Sequence, residues 1–490
     1  MNNDKIENTL TNLNSTQVEK ENPIEKLLEN QILIGGEDIL KIQMKPIIDA
    51  SSNENEKEKQ KKAKTKFQEI LKEMRIRIGT LLKTDNVSFL LGAGTSINAG
   101  GISIAKLPIE IEKSLLEKGI VNDKPEEWLN LFYHIVLGLG IDFAPSDLFE
   151  RKKLLFDNNG TPVEIPINLE ELLTNLITWK AAMNTDRIEI CLKNDTAHVI
   201  SKFNLEMLIK NLIEALIEAC KLPKKDPQKD KESPIQHHRK MLKKILTRPL
   251  NLKRVNIFTL NYDTLIEQAA DSEGIVLVDG FVGALCKVFR PESFDQDFYF
   301  PAQTTEGYVH RLDRVIHLYK LHGSITWHRT EPNWENPYGL FASEAIKHAE
   351  NDEVIIYPTP LKYGQALGLP YSELFRRFAN AIVQPQSVLF AIGYGFGDEH
   401  VNMIIHQALA IPSFTLVIID PAPRSTFVTK LIEQNDQRVW LISGWDIADF
   451  NKFVDLLLPD LREEEILKKI MDTYKATSII SPETLIPNRE

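Results

Sequence analysis

The chain has 490 residues, of which 43% are hydrophobic and 26% are charged, proportions typical of a soluble globular protein. Its formal net charge of −11 argues against a general nucleic-acid binder, because such proteins usually carry a strongly basic face. No apolar run approaches the ~18 residues of a transmembrane helix, and the polar, acidic start MNNDKIENTL does not resemble a secretory signal.

The cysteines indicate the compartment. Cys191, Cys220 and Cys286 are odd in number and far apart, which excludes a disulfide framework. They also exclude a zinc site with four cysteine ligands. We therefore expect a protein of the reducing cytoplasm without structural zinc.

Residues 1–62 are expected to form an N-terminal tail that is largely flexible. The first 60 residues contain no Phe, Trp or Tyr, and residues 51–62 form a charged linker that cannot bury enough apolar surface to become ordered. An apolar patch over residues 31–48 interrupts this tail. It is interpreted either as a small hairpin turning at Gly35-Gly36 or as a segment that docks on a neighbouring subunit.

Two helical regions follow. Apolar residues recur at helical spacing from Phe67 to Leu82, which predicts a core-packed helix. Residues 109–250 are also mainly helical in pattern. Within them, His237 and His238 precede a helix, but adjacent residues do not share a helix face, so a solvated helix start is favoured over a metal site.

Short apolar runs alternate with helical patterns through the rest of the chain. This alternation predicts a Rossmann-like, doubly wound and mostly parallel α/β sheet that carries a large helical insertion. Polar clusters follow several strands, and ligands of such sheets bind beyond the carboxyl ends of the strands. The predicted strands after the insertion are VNIFTL, IHLYKL, EVIIYP, SVLFAIGYG, FTLVIID and RVWLIS.

The first strand, residues 87–91, ends in the turn Gly92-Ala93-Gly94. Thr95 and Ser96 follow and are expected to cap a helix. A glycine turn at a helix N-terminus is a typical site for a nucleotide phosphate. The third glycine of the dehydrogenase fingerprint is replaced by Ile97, which excludes that fingerprint.

Three polar clusters follow later strands. Thr259-Leu260-Asn261-Tyr262-Asp263 places an amide and a carboxylate after VNIFTL, a pattern that by itself also fits a helix cap. His322 ends the next strand, and histidine is a natural general base near neutral pH. A second glycine turn covers residues 392–398, and Asp420 ends the following strand.

In their order along the chain, these motifs resemble those of the sirtuin (silent information regulator) family. The resemblance rests on Gly-Ala-Gly-x-Ser followed by Gly101-Ile102, on Thr-x-Asn-x-Asp, on Leu-His-Gly and on the second glycine turn. It implies that NAD is bound as substrate. Asn261 would bind the nicotinamide ribose and position a water, Asp263 would read the carboxamide, and His322 would act as base on a ribose hydroxyl.

The remaining nucleotide contacts follow from the same resemblance. Gly92, Ala93, Gly94 and Ser96 would hold the pyrophosphate. The adenosine end would meet Gly393 and Tyr394. Separately from the resemblance, the Asp420 carboxylate is a candidate to accept hydrogen bonds from the adenosine ribose hydroxyls, as an acidic residue does in other dinucleotide sites. These residues lie in an expected catalytic domain of residues 63–450, followed by a helical tail of residues 451–490.

The sequence departs from sirtuin deacylases at two places. It has no Cys-x-x-Cys pair, and residues 103–106 replace the Pro-x-Phe-Arg that continues the Gly-Ile loop in deacylases. The resemblance therefore points to the bacterial antiphage branch, whose members hydrolyse NAD to nicotinamide and ADP-ribose in abortive infection. A protein deacylase with a different cleft and a nucleotide-binding sensor without turnover remain alternatives.

The same branch implies how a toxic NADase is controlled. We expect a homo-oligomer, switched on by a partner ATPase of the DNA-translocase kind, an argonaute-like protein or a phage protein. The N-terminal residues and the helical insertion are the candidate contact segments. Neither a membrane partner nor direct nucleic-acid binding is expected.

Overall fold

A computed structural model describes residues 23–49, 56–102, 107–121, 127–139, 141, 165, 167, 169–191, 197–223, 233–284, 286–301, 309–343, 353–354 and 369–462. None of the helices in these ranges is long and apolar enough to cross a membrane. The strands are β1 (Gln31–Ile34), β2 (Glu37–Asp38), β3 (Asn86–Leu91), β4 (Arg187–Cys191), β5 (Ala197–Ser201), β6 (Asn256–Thr259), β7 (Val276–Val278), β8 (Phe281–Val282), β9 (Lys287–Phe289), β10 (Tyr299–Pro301), β11 (Val309–Arg311), β12 (Val315–Lys320), β13 (Trp327–Arg329), β14 (Leu340–Ala342), β15 (Glu353–Val354), β16 (Ser387–Ile392), β17 (Thr415–Ile419) and β18 (Val439–Ser443).

The helices alternate with these strands in the second half of the chain, as the sequence predicts. They are α1 (Pro23–Leu28), α2 (Ile39–Asp49), α3 (Glu56–Leu82), α4 (Leu107–Val121), α5 (Glu127–Gly138), α6 (Leu169–Ala182), α7 (Lys202–Cys220), α8 (Gln236–Ile245), α9 (Leu265–Glu273), α10 (Tyr371–Ile382), α11 (Glu399–Leu409), α12 (Thr426–Glu433) and α13 (Phe450–Lys452).

The central sheet has the strand order β2-β1-β18-β17-β16-β3-β6-β12-β7. All pairs from β18 to β7 are parallel, and β1 and β2 add an antiparallel edge. The chain leaves β3 toward β6 and β12 on one side, and later returns to β16 on the other side. The carboxyl ends of β3 and β16 therefore form the switch point at which doubly wound sheets bind ligands.

Each face of the sheet has its own apolar core. The alternating side chains of β3 show this division, because Val87, Phe89 and Leu91 join one core and Leu90 joins the other. Helix α3 packs on the first face through Phe67, and the other apolar residues of its predicted stripe are also buried or packed there. Helices α10, α11 and α12 cover the second face. The mixed α/β architecture with a mostly parallel sheet is thus confirmed.

The predicted strand EVIIYP is not part of the central sheet. Its described residues form β15, which pairs antiparallel with β13 in a separate five-stranded sheet of order β15-β13-β14-β9-β8. Residues 355–358 of that prediction lie outside the described residues. Periodicity identified an extended segment here, but it does not distinguish a parallel core strand from a strand of a second small sheet.

The N-terminal prediction is wrong for the described residues before position 62. Gly35 and Gly36 turn the hairpin of β1 and β2, and β1 pairs with β18. Ile32 and Met44 are fully buried in the first-face core. Helix α3 begins at Glu56, inside the predicted flexible linker. The hairpin reading is confirmed, and its edge pairing explains why an aromatic-free segment is ordered. Residues 1–22 and 50–55 of the expected tail lie outside the described part of the chain.

The helical insertion has a core of its own. Helices α4, α5, α6 and α7 supply most of its buried residues, and the antiparallel hairpin β4–β5 is an element that the sequence pattern did not predict. Helix α8 instead packs into the first-face core through Met241, Leu242 and Ile245. Beyond α13, the chain forms a π-helical turn over Phe453–Leu457 whose buried side chains also join that core. Residues 463–490 of the predicted tail are outside the described ranges.

Candidate active site

The chain leaves β3 through two short 3₁₀ turns, Ala93–Thr95 and Ile97–Ala99, and no side chain caps either turn. The prediction that Thr95 and Ser96 cap an α-helix is therefore wrong. The Thr95 hydroxyl instead donates to the Gly92 carbonyl oxygen at 2.8 Å. Among the described elements, the next α-helix is α4, which begins at Leu107.

The glycines of this turn allow a close backbone contact with the second glycine turn. A Cβ atom added to Gly92 would lie 2.5 Å from the Gly393 carbonyl oxygen, and one added to Gly94 would lie 2.6 Å from the Gly393 Cα. Gly94 N–H donates to the Gly393 carbonyl at 2.9 Å. Gly393 itself has a φ of +60°, a left-handed value that favours glycine. The two motifs, almost 300 residues apart, thus form one unit at the switch point.

The backbone N–H groups of the first glycine turn are already used within the protein. The N–H groups of Gly94, Thr95 and Ser96 donate to the carbonyls of Gly393, Gly92 and Ala93. They are therefore engaged within the protein in this structure, unlike the free N–H groups of a helix N-terminus. The glycines act here by permitting close approach of two backbones.

Asn261 joins the turn after β6 to the turn after β3. Its Nδ2 lies 3.0 Å from the Gly92 carbonyl oxygen, 3.1 Å from Thr95 Oγ1 and 3.0 Å from Ser96 Oγ. Its own backbone N–H donates to Thr259 Oγ1 at 3.1 Å. Asn261 is half-buried, and its side-chain amide is held by the turn after β3.

Asp263 continues this network. Ser96 Oγ donates to Asp263 Oδ2 at 2.6 Å, and Asp263 Oδ1 accepts from Leu265 N–H at 3.1 Å. The carboxylate is 8% exposed. A hydroxyl that donates to Asp263 accepts from Asn261, so Ser96 links amide and carboxylate in one chain of hydrogen bonds. Helix α9 begins at Leu265 with Thr264 as its N-cap, so Asp263 accepts the Leu265 N–H from one position before the cap.

A buried ammonium lies behind the same loop. Lys320, the last residue of β12, is 3% exposed and donates through Nζ to the Asp263 main-chain oxygen and to Glu267 Oε1, the latter at 2.8 Å. Burial raises the pKa of the Glu267 carboxyl, and the charge of Lys320 opposes that shift. Lys320 therefore fixes the backbone that presents Asn261 and Asp263.

His322 lies at the matching position of the adjacent strand. Thr259 and Lys320 are register partners of β6 and β12, so Asn261 and His322 each follow their strand by two residues. His322 Nε2 lies 2.9 Å from Asp398 Oδ2, and the two side chains are 10% and 7% exposed. The rings of Tyr262 and Phe375 lie 6.4 and 6.5 Å from the imidazole, centroid to centroid. The structure thus brings the predicted base to the same sheet edge as Asn261.

The second glycine turn is ordered by its own side chains. Tyr394 is buried, and its hydroxyl donates to the Asp398 carbonyl oxygen at 3.2 Å and to Asn402 Oδ1 at 3.1 Å. Phe396 has a φ of +54°, rare for a bulky residue, and its carbonyl accepts from Asn402 Nδ2 at 2.9 Å. The Tyr394 side chain therefore faces the protein, which leaves its main chain for the predicted adenosine contact.

Asp420 follows β17, one strand beyond β16. Its Oδ1 accepts from Ala422 N–H at 2.9 Å, and burial raises the pKa of its carboxyl. Within the described ranges, no hydrogen bond joins Asp420 to the Asn261–Ser96 network. It lies at the carboxyl edge of the sheet, as predicted, but apart from the groups around β3, β6 and β12.

The two histidines lie in the first turn of α8, and they do not form a solvated helix start. His238 is 3% exposed, its ring lies 4.8 Å from that of Phe450, and burial lowers its pKa to about 4. His237 Nε2 lies 3.0 Å from Asp455 Oδ2. Within the described ranges there is no group of three or more His, Cys, Asp or Glu residues arranged to hold a metal ion.

Sequence reasoning missed three contributors to this site. The sequence assigns no role to Asp398 inside the second glycine turn, predicts that Thr95 caps a helix, and places Lys320 only within a strand. A signal existed for Asp398, because an Asp between a glycine turn and a helical pattern is a typical N-cap. Its pairing with His322 depends on strand order and had no local signal.

Comparison with known proteins agrees with this geometry. A family model described as a SIR2-like domain matches residues 255–442. The match spans the Asn261, His322 and Gly393 motifs and ends before the last residue of β18. The first glycine turn lies outside the matched range, and the structure places it against Asn261. No curated protein matches the chain. The match supports a SIR2-like domain over residues 255–442.

Proposed function

We propose that this protein is an NAD⁺ hydrolase that cleaves the nicotinamide glycosidic bond. One observation carries the proposal: the Asn261 amide is held by the first glycine turn, while His322 stands at the equivalent position of the next strand. SIR2-like chemistry uses NAD as a substrate, and residues 255–442 match that family. An amide, a candidate base and a glycine turn thus lie at the same carboxyl edge of the sheet, where doubly wound folds bind nucleotides.

The proposed reaction breaks the bond between the ribose C1′ and the nicotinamide nitrogen. Nicotinamide leaves as a neutral molecule and takes the bonding electron pair, and the ribose passes through an oxocarbenium-like state. Water adds to C1′ and loses one proton, so that the products are nicotinamide, ADP-ribose and H⁺. Preorganised dipoles lower the barrier because they stabilise the developing charge without reorganising.

Each residue has a role in this proposal. Asn261 orients the ribose and the attacking water, and its position is maintained by Ser96 and Asp263. His322 accepts a proton from a ribose hydroxyl or from the water. The main chain of the two glycine turns lies against the pyrophosphate and adenosine. Asp420 contributes to the adenosine ribose from the end of β17.

Hydrolysis is preferred to protein deacylation because of what the sequence lacks. It contains three cysteines and no Cys-x-x-Cys pair, so the zinc ribbon that helps to form the acyl-peptide cleft in deacylases has no ligands here. The insertion also packs beside the site, since Tyr262 and Ile325 contact its core. We propose that NAD depletion serves antiphage abortive infection.

The same contacts suggest how the activity is controlled. Tyr262 separates Asn261 from Asp263 in the chain, so a shift of the insertion would move the loop that carries both. We propose that oligomerisation or a partner acts through this insertion. The candidate partners are an ATPase of the DNA-translocase kind, an argonaute-like protein and a phage protein.

The test is direct measurement of nicotinamide and ADP-ribose after incubation with NAD⁺, with and without an acetyl-lysine peptide. Asn261→Ala and His322→Ala should each lower kcat, His322→Ala by about 10²- to 10⁴-fold if the imidazole acts as base. Asn256→Ala, at the opposite end of β6, and His310→Ala, on an exposed position of β11, are the matched controls.

The outcomes separate the alternatives. Peptide-independent nicotinamide release that requires Asn261 and His322 supports the hydrolase. Release that occurs only with the peptide, together with an acylated ADP-ribose product, would establish a deacylase. NAD binding without turnover, even after addition of phage-infected lysate, would indicate a sensor.

A further inference from the structure

We propose that Asp398 is a positioning residue that fixes the imidazole of His322 in the tautomer needed for proton transfer. This inference rests on the proposed function, because it deepens the role of His322 in that reaction. It assigns to Asp398 the task of holding the imidazole proton on Nε2. Nδ1 is then the only basic atom of the ring.

The proton position follows from the donor and acceptor chemistry of the pair. An ionised carboxylate can only accept hydrogen bonds, so the His322 Nε2 that lies 2.9 Å from Asp398 Oδ2 must carry a hydrogen. In the neutral imidazole the other nitrogen, Nδ1, then has the free lone pair. Both side chains are at least nine-tenths buried, which strengthens the contact relative to an exposed pair.

The carboxylate cannot easily rotate away from His322. Asp398 Oδ1 accepts from His400 N–H at 3.0 Å and from Val401 N–H at 3.4 Å at the start of α11. Its main-chain oxygen accepts from the Tyr394 hydroxyl. The helix start thus sets the direction in which Oδ2 points.

The pair also connects distant parts of the sheet. Asp398 follows β16, whereas His322 follows β12, and β3 and β6 lie between those strands. The contact therefore passes over the edge where Asn261 and the first glycine turn meet. Capping of α11 alone does not explain this geometry, because a cap uses one oxygen and Asn or Ser caps about as well as Asp.

Asp398→Asn separates the two roles of the carboxylate. The His400 and Val401 N–H groups can donate only to the oxygen of the new side-chain amide, so the cap is retained. The NH₂ group of that amide is then turned toward His322 Nε2. That nitrogen must then accept, which moves the proton to Nδ1. Asp398→Ser keeps a capping hydroxyl and removes the partner of the imidazole.

The experiment combines a spectroscopic and a kinetic readout on the full chain. Histidine ¹⁵N chemical shifts, with the His322 signals assigned from a His322→Gln variant, report the tautomer. Steady-state kinetics report kcat and KM for NAD⁺, and thermal unfolding reports the cap. Asp38→Asn is the matched control, because Asp38 Oδ1 accepts from Leu40 and Lys41 N–H at the start of α2 without a histidine partner.

We expect His322 to carry its proton on Nε2 in the native protein and on Nδ1 in Asp398→Asn. The kcat of Asp398→Asn should fall at least about 100-fold with KM changed only a few-fold, and Asp398→Ser should also lose kcat. Unfolding temperatures of both variants should stay near that of Asp38→Asn.

An unchanged tautomer in Asp398→Asn would overturn the proposal, as would full kcat in both Asp398 variants of an active enzyme. If the native protein turns over no NAD⁺, the hydrolase proposal fails, but the ¹⁵N measurement still decides whether Asp398 sets the tautomer. The two failures are therefore distinguishable.

Discussion

The contact between the two glycine turns can be tested by adding one methyl group at Gly393. This residue has a left-handed φ of +60°, and a Cβ atom there would lie 2.7 Å from Gly94 Cα and 2.8 Å from Thr95 N. Gly393→Ala therefore introduces both backbone strain and a collision with main-chain atoms. Main chain cannot move aside as the end of a flexible side chain can.

Two other glycines isolate the separate contributions. Gly274 has a φ of +62° but nothing within 4 Å of its added Cβ, whereas Gly395 has open space and no left-handed φ. We expect Gly274→Ala to lower the free energy of unfolding by about 1 kcal/mol. The left-handed φ penalises alanine, and the reduced conformational entropy of the unfolded alanine variant offsets part of that penalty. Gly395→Ala should change stability by less than about 0.5 kcal/mol.

Gly393→Ala should lower the free energy of unfolding by about 2–4 kcal/mol. The collision with main-chain atoms adds about 1–3 kcal/mol to the same left-handed backbone penalty. The measurement is the shift in denaturant midpoint, converted to a free energy of unfolding with a common slope. Equal losses for Gly393→Ala and Gly274→Ala would refute the close contact of the two turns. A loss for Gly395→Ala as large as that for Gly393→Ala would show that the whole loop is intolerant of substitution.

The remaining predictions concern the buried ammonium of Lys320 and the half-buried imidazole of His317. Lys320→Met should lower the free energy of unfolding by about 2–3 kcal/mol, because it removes the charged donor to Glu267 and to the Asp263 carbonyl; adding Glu267→Gln should restore part of the loss in the same denaturation assay. Burial lowers the pKa of His317 from 6.5 to about 4, so the unfolded chain binds more protons in that interval and stability falls as the pH falls through it. His317→Phe should reduce this loss of unfolding free energy at low pH by up to about 3 kcal/mol. An unchanged dependence of the unfolding free energy on pH would contradict the lowered pKa of His317.

Much of the fold could be predicted because its signals are local. The buried runs of β3, β6, β12, β16, β17 and β18 read directly as strands, and the glycine turn and the Asn261, His322 and Asp420 positions follow from where those runs end. Parallel strands place their carboxyl ends at one edge, so the candidate site could be located without coordinates.

Other features depend on partners that local sequence does not identify. Residues 31–34 resemble a docking segment or a hairpin equally well, and only pairing with β18 shows that they extend the central sheet. The hairpin β4–β5 lies in a region of helical pattern. The 3₁₀ path after Gly94 is imposed by contact with Gly393, which overrides the capping preference of Thr95 and Ser96.

The amino-acid sequence by itself determined which chemical groups end the strands: an amide, an imidazole, two glycine turns and several carboxylates. Only the tertiary structure decided which of them meet. Ser96 and Asp263 are 167 residues apart, and His322 and Asp398 are 76 residues apart. Their contacts arise because the strand order places β3, β6, β12 and β16 side by side, and strand order is set by the packing of the whole sheet.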